Sequence, residues 1–373
     1  MKKQVRIVFG ILIIILVCFF AKRGLLDFSV KNEISSEDLE QYSKYYYFNQ
    51  LTDNQKKIYV AMDKKIQNLE HVIKLGTDDE VIKDAEKALN AIYNDREDYY
   101  FLENRYSVIN TNLVLANVHS IKLSYAVEDM AEKEKLDKRL EEATDKFLKD
   151  LITQDMTEFE KELAIHDKLV KQVKYFKHEK IEDIPAIKHT LYGALVEKEA
   201  VCDGITRAFK HLLKQVGIES MMVTGTLDNV AHAWNIVKIE DKYYYVDATS
   251  DSVELENKKT VVHKYFNITE DALTKTHNLD ETFKLPKCTD TKYNYYIYND
   301  YFVKYGDSLR GKLGRIMYYQ ENSDILEFEV DESYDSQEVV DMLYMLDFNN
   351  WNSSNITNVK YHSMENVYVF NQK

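Results

Sequence analysis

The chain has 373 residues with only Gly 10 and Pro 2, too few for a collagen-like, Pro-rich or Gly/Ser-linker protein. Hydrophobic residues make up 45% and charged residues 30%, the balance of a globular chain, and the length allows two or three domains. Lys+Arg 49 against Asp+Glu 63 leaves a formal charge of −14, which argues against a nucleic-acid binder.

Lys2, Lys3 and Arg6 precede an uncharged run, Ile7 to Ala21, closed by Lys22 and Arg23. Those 15 residues would span about 22 Å as a helix, short of a ~30 Å hydrocarbon core that flanking Lys and Arg can help reach. The layout fits a secretory segment or signal anchor over residues 1–23. It carries no small-x-small cleavage site, since Phe19 sits three back from a cut after Ala21. Cys18 follows Leu16-Val17, a poor lipoprotein signal. An uncleaved anchor is therefore expected first, a lipoprotein at Cys18 second and a secreted, cleaved form third; each puts the bulk of the chain outside the cytoplasm, at the cell surface.

Residues 24–50 read as a polar, Tyr-rich juxtamembrane linker, and 51–150 as a mainly helical N-terminal region. A capping box at Thr52 and Gln55 opens a helix carrying Ile58, Met62, Ile66, Leu69 and Ile73 and stopping at Gly76. A second helix carries Val81, Ala85, Ala88, Leu89 and Ile92, and residues 113–125 alternate as strand or hairpin. Leu136, Leu140, Ala143, Phe147 and Leu151 mark another helix, and Thr157 with Glu160 caps the next. From Cys288 onward YNYYIYNDYFVKYGD, RIMYY, ILEFEV and NVYVF read as short strands, with a helix around Gln337–Leu346; residues 288–373 are expected to form a small α+β domain.

The chemistry lies in 151–287. Ile205, Ala208, Phe209, Leu212, Leu213 and Val216 form one apolar helix face ended by Gly217, which puts Cys202 at the helix start, where free N–H groups and the dipole stabilise negative charge. Gly204 allows close backbone approach in the first turn. Downstream, HAWNIVKI (232–239) and YYYVDATSD (from Tyr243) read as a hairpin. An even turn, such as one at Glu240-Asp241, places Thr249 opposite His232 and Asp247 on the same face, within side-chain reach; an odd turn puts Asp247 on the other face. A helix-start Cys with a His/Asp hairpin is the arrangement for thiol nucleophilic catalysis: Cys202 attacks, His232 moves the proton, Asp247 orients the imidazole. Taken singly, each residue has a bland alternative: a buried small hydrophobe, a sheet histidine, a strand-end cap.

These segments, LYGALVEKEAVCDGITRAFKHLLKQVGIESMMVTG and HAWNIVKIEDKYYYVDATSD, resemble the transglutaminase-like superfamily, in its bacterial exported branch. The later KYFNITEDALTKTH resembles it more loosely. The resemblance implies an α+β protein with a papain/transglutaminase-like core, a catalytic helix packed on an antiparallel sheet, and a Cys202, His232, Asp247 triad. Ile205-Thr206 stands where the family often has an aromatic residue, and Thr249-Ser250 where it commonly has Thr-Trp.

The remaining candidates are weaker. Tyr192 is a candidate side-chain oxyanion donor beside the backbone N–H groups near Cys202, or a packing residue; Trp234 is a candidate wall of the substrate cleft or a core aromatic, and Asn235 a candidate to orient a loop at the cleft or to cap a strand. A satisfied core histidine is the better reading of His166, and His263 and His277 are expected at the surface or in turns. Asp247 and Asp251 lack EF-hand spacing, no CxxC or HxxxH pair suggests zinc, and two further cysteines, Cys202 and Cys288, do not make a disulfide framework. No metal and no cofactor are expected. The expected function is thiol-dependent acyl chemistry on amides, as a peptidase or amidase or as a protein cross-linker, acting on protein or cell-wall peptide and touching the membrane through its N-terminus. The rival is a non-catalytic surface binding or scaffold module on the same fold.

Overall fold

The computed structural model describes residues 34–371 except 79, 113–116, 178–179, 181–182, 256–257 and 347–365. The expected anchor, residues 1–23, and the first part of the expected linker lie outside the described residues. Among the described residues no helix is long and apolar enough to cross a membrane. The chain divides into two units, one running to Glu141 and including Pro185–Ile187, the other comprising Glu142–Ile184 and Lys188 onward.

In the first unit α1 (Asp53–Gln67) starts at the capping box read from the sequence: Gln55 N–H donates to Thr52 Oγ1, and Thr52 N–H to Gln55 Oε1. It ends sooner than its apolar spacing suggests. Leu69 takes a left-handed φ of 56°, and Val72–Gly76 then leaves as strand β1. After α2 (Val81–Asp95), β2 (Leu102–Asn112) and β3 (Asn117–Tyr125) complete an antiparallel sheet of order β1-β3-β2. The region expected to be mainly helical is thus itself α+β. Residues 34–50 are not a linker throughout. Tyr47 and Phe48 are buried, and their N–H groups donate to the buried Asp95 carboxylate at 3.0 and 2.9 Å.

The chain passes through α3 (Met130–Leu148) into the second unit and α4 (Glu158–Gln172), which opens on the expected Thr157/Glu160 capping box. Strand β4 (Lys174–Tyr175) pairs in parallel with β5 (Glu199–Ala200); α5 (Leu191–Leu195) lies between them in sequence. Helix α6 (Cys202–Gln215) follows at once and buries Ile205, Ala208, Phe209, Leu212 and Leu213, the face its periodicity marks. Strands β6 (Ser220–Leu227), β7 (Val230–Ile239) and β8 (Lys242–Val246) form an antiparallel meander. A hairpin of β9 (Ser252–Leu255) and β10 (Lys258–Val261) comes next, and β11 (His277–Leu279) returns to pair with β6, giving the order β11-β6-β7-β8.

In the C-terminal segment β12 (Phe302–Val303), β13 (Ile325–Val330) and β14 (Val367–Asn371) form one sheet, with α7 (Leu309–Tyr319) and α8 (Ser336–Met345) against it through Leu313, Ile316, Val339 and Leu343. The ILEFEV and NVYVF strands and the last helix stand where the sequence puts them. RIMYY instead lies in α7, and part of the YNYYIY stretch forms a short helix at Tyr295–Tyr298. The segment does not separate from the core: Val253, Leu255 and Val262 cluster with Tyr296, Val367 and Val369. The whole is α+β, with a helix packed on an antiparallel sheet at its centre, as expected.

Candidate active site

Cys202 is the first residue of α6 and is partly exposed, while Cys288 is buried; both are free thiols. Val201 at the N-cap supplies no side-chain hydrogen bond, and within the first turn Asp203 Oδ1 takes the Gly204 N–H at 3.0 Å. Gly204 explains how the turn sits so close to the preceding chain. A Cβ built there would meet Lys188 O at 2.6 Å, Thr190 O at 2.9 Å and the Ala200 methyl at 2.9 Å. Only glycine fits that approach.

The β7–β8 hairpin has the even turn the chemistry needs. Ile239 pairs with Lys242 and Asn235 with Val246, leaving Glu240-Asp241 as the turn, with Glu240 at φ 53°. The same register carried forward puts Thr249 opposite His232. Asp247, one residue past β8, reaches His232 Nε2 with Oδ2 at 2.8 Å. With Nε2 so engaged, Nδ1 is the ring nitrogen left for the Cys202 side chain, which hydrogen-bonds the imidazole. Cysteine, histidine and aspartate are therefore brought together in that order.

Electrostatics match the geometry. Burial opposes charge on His232, but the Asp247 carboxylate, its hydrogen bond and the Cys202 side chain outweigh burial and push the imidazole up to about 10. Burial alone would raise Asp247; the charge and hydrogen bond of His232, then those of His277, hold it well below the usual carboxylate range. Asp247 Oδ1 accepts the N–H groups of Thr249 and Ser250 at 3.0 and 3.1 Å, and Ser250 Oγ donates to Oδ2. The carboxylate is completely buried and saturated with donors.

His277 was expected at the surface or in a turn and is instead buried, the first residue of β11, with Nε2 at 3.2 Å from Asp247 Oδ2. Its Nδ1 faces Thr276 Oγ1 at 2.8 Å. No short-range pattern marks it; it belongs to the KYFNITEDALTKTH stretch and arrives through the β11–β6 pairing. His263 is likewise buried rather than exposed. His166 is the buried, doubly bonded core histidine its helix position suggests.

The weaker candidates fall inside the protein. Trp234 is fully buried and stacks on His232, ring centroids 5.8 Å apart, while its edge meets His277. Asn235 is buried, and its amide donates to Thr206 O at 3.1 Å and Met221 O at 3.4 Å. Thr206 Oγ1 in turn donates to Ala233 O at 2.9 Å. Asn235 and Thr206 thus fasten α6 to β7, fixing sulfur and imidazole relative to each other. Tyr192 is buried on α5. A residue the sequence reading passed over is Tyr175. It is exposed, stands beside Ala200 in the β4–β5 pair, and is pushed up to about 12 by partial burial and by Cys202, Asp203 and Asp247. His189 Nδ1 holds Asp203, next to Cys202, at 2.9 Å.

Residues 145–248 match the family model of the transglutaminase-like superfamily, a span that includes Cys202, His232 and Asp247. A solved structure of a TGase shares 12% identity over 54% of this chain and 53% of that one, with a TM-score of 0.28. A candidate protease from Parabacteroides distasonis shares 15% identity over 43% of this chain and 41% of that one, with a TM-score of 0.24. The chain thus spans about half, or less, of the structures it matches. No curated protein matches it.

Proposed function

We propose that the protein is a thiol-dependent acyl-transfer enzyme acting on amide bonds through Cys202, His232 and Asp247. The observation that carries this reading is the His232 ring, bonded through Nε2 to a buried carboxylate and offered through its other nitrogen to a sulfur at a helix start. In the first half-reaction the Cys202 sulfur attacks the amide carbonyl with its proton already held on His232 Nδ1, and the imidazolium gives that proton to the departing amine; a thioester to Cys202 remains. Asp247 keeps the ring oriented and stabilises its positive charge. The Cys202 backbone N–H, at a helix start whose N-cap residue Val201 gives no side-chain bond, is the oxyanion donor we assign. In the second half-reaction water releases a carboxylic acid, or an amine forms a new amide.

The basic-apolar-basic pattern of residues 2–23 supports an extracytoplasmic setting at the membrane surface, and with it protein or cell-wall peptide as substrate. The test is incubation with a labelled primary amine and a protein mixture, wild type against Cys202→Ala. Label incorporated only by wild type supports cross-linking, and new fragments only in wild type support hydrolysis. Neither product, together with Cys202 alkylation no faster than that of a free thiol across pH 5–8, sinks the reading and leaves a binding module.

A further inference from the structure

A second cluster of ligating groups lies apart from the triad. On α4, His166 Nδ1 lies 3.0 Å from Asp167 Oδ1; His263, just after β10, brings Nε2 to 2.9 Å from the same oxygen. The outer nitrogens are also held: His166 Nε2 faces Asp251 Oδ2 at 3.1 Å, and His263 Nδ1 faces Glu327 Oε2 at 2.8 Å. Those outer carboxylates are fixed as acceptors. Asp251 Oδ1 takes the Tyr265 N–H, and Glu327 Oε1 takes the His263 N–H and the Tyr296 hydroxyl.

Protons or a cation can hold the inner contacts together. Each imidazole gives one N–H to its outer carboxylate. The inner nitrogens then present lone pairs toward an oxygen that is itself an acceptor. Two positive charges are needed among these three atoms, and either two more protons or one divalent cation supplies them. Three carboxylates around two buried rings leave the same net charge either way, so the choice turns on geometry and ligand type. The three donor atoms lie within 4.8 Å of one another. Donors on a tetrahedral zinc ion stand roughly 3.3 Å apart, so the two contacts to Asp167 Oδ1 must open by a few tenths of an ångström and the two ring nitrogens must settle at that spacing from within 4.8 Å. Asp167 is the member able to give, its side chain 44% exposed while His166 is fully buried. Imidazoles whose far N–H groups rest on carboxylates are the outer shell that metal-ligating histidines use.

We propose that His166, His263 and Asp167 bind one divalent transition-metal ion, zinc by the chemistry of the donors, as a structural clamp between α4 and the chain that follows β10. The site goes beyond the acyl-transfer reading and does not depend on it. The test titrates chelator-stripped full-length protein with zinc chloride by calorimetry and metal analysis. It uses a Cys202→Ala, His232→Ala background, so that the other three-ligand cluster, His232, Asp247 and His277, is not what is read. One equivalent should bind and raise the unfolding temperature. Asp167→Asn should weaken binding by at least 100-fold, and Glu327→Gln, which touches no ligand atom, by 10- to 100-fold. No zinc bound by the background protein, or full affinity kept in Asp167→Asn, overturns the site and leaves a proton-bridged ion network.

Discussion

His277 Nε2 lies 3.2 Å from Asp247 Oδ2, the oxygen that also takes His232 Nε2 at 2.8 Å. One carboxylate oxygen thus serves two imidazoles, and His232 is the one that the Cys202 side chain also meets. In the proposed mechanism His277 is a positioning residue: it holds the Asp247 carboxylate that orients the His232 ring. The His277→Gln variant should stay folded and lose about tenfold in the second-order rate of Cys202 alkylation at neutral pH, with its pH profile displaced. Asp247→Asn, which removes the charge itself, should lose far more, roughly a hundredfold or greater. Iodoacetamide kinetics across pH 5–10 separate the two. Equal rates in His277→Gln and wild type would make His277 a packing residue only.

Gly204 tests the coupling between the helix start and the chain before it. A methyl group there would press on two carbonyl oxygens and a methyl within 3 Å, none of them the end of a flexible side chain. Gly204→Ala should therefore shift the first turn of α6 and cost roughly 1–3 kcal/mol, as overpacking does. Urea midpoints give the stability. Loss of fast alkylation in the folded fraction shows that the displaced atom is the sulfur. A variant as stable and as reactive as wild type would mean that the turn is slack.

The residues of the site were legible in sequence where short-range rules govern them. Helical period fixes the buried face of α6 and so the partly exposed start at Cys202; the parity of one turn fixes whether Asp247 joins His232. Both rules act within about a dozen residues. His277 obeys neither, because its place depends on β11 returning to β6 after the β9–β10 hairpin, a pairing with no local signature. Asn235 looked like a cleft residue because its role, an amide bridging α6 and β7, exists only once helix and strand are packed. In the first unit the apolar spacing of Leu69 and Ile73 continues that of α1. The left-handed turn at Leu69 is what diverts Ile73 into a sheet, where it is still buried. The spacing reports burial correctly and the element wrongly.

Stability should carry the mark of His232. Its folded value of about 10 lies above the 6.5 ordinary for the side chain, so the protonated ring favours the folded state. That contribution is whole below about pH 6.5 and disappears as pH rises through 10. Between pH 7 and 10 the urea midpoint of wild type should fall more steeply than that of His232→Gln, the difference amounting to roughly 1–3 kcal/mol. Parallel curves would show that the imidazole is neutral in the folded protein.

Glu162 predicts a variant more stable than wild type. It is fully buried on α4, and burial pushes its carboxyl up to about 8 despite the hydrogen bond that Asn267 Nδ2 donates to Oε2 at 2.8 Å. The other oxygen, Oε1, has no partner, and neither has Asn267 Oδ1. A carboxyl raised from its ordinary 4.5 favours the folded state only while protonated. Its effect is neutral below about 4.5, and stability is lost steadily as pH climbs from there to 8, because the unfolded chain ionises first. Glutamine keeps the shape and an acceptor for Asn267 Nδ2, adds an N–H donor for a buried oxygen, and never ionises. Glu162→Gln should match wild type at pH 4.5 and exceed it by roughly 1–3 kcal/mol at pH 9. The gap between their urea midpoints should open over that interval. A gap that is already full at pH 4.5 would mean that packing, and not the charge, separates them.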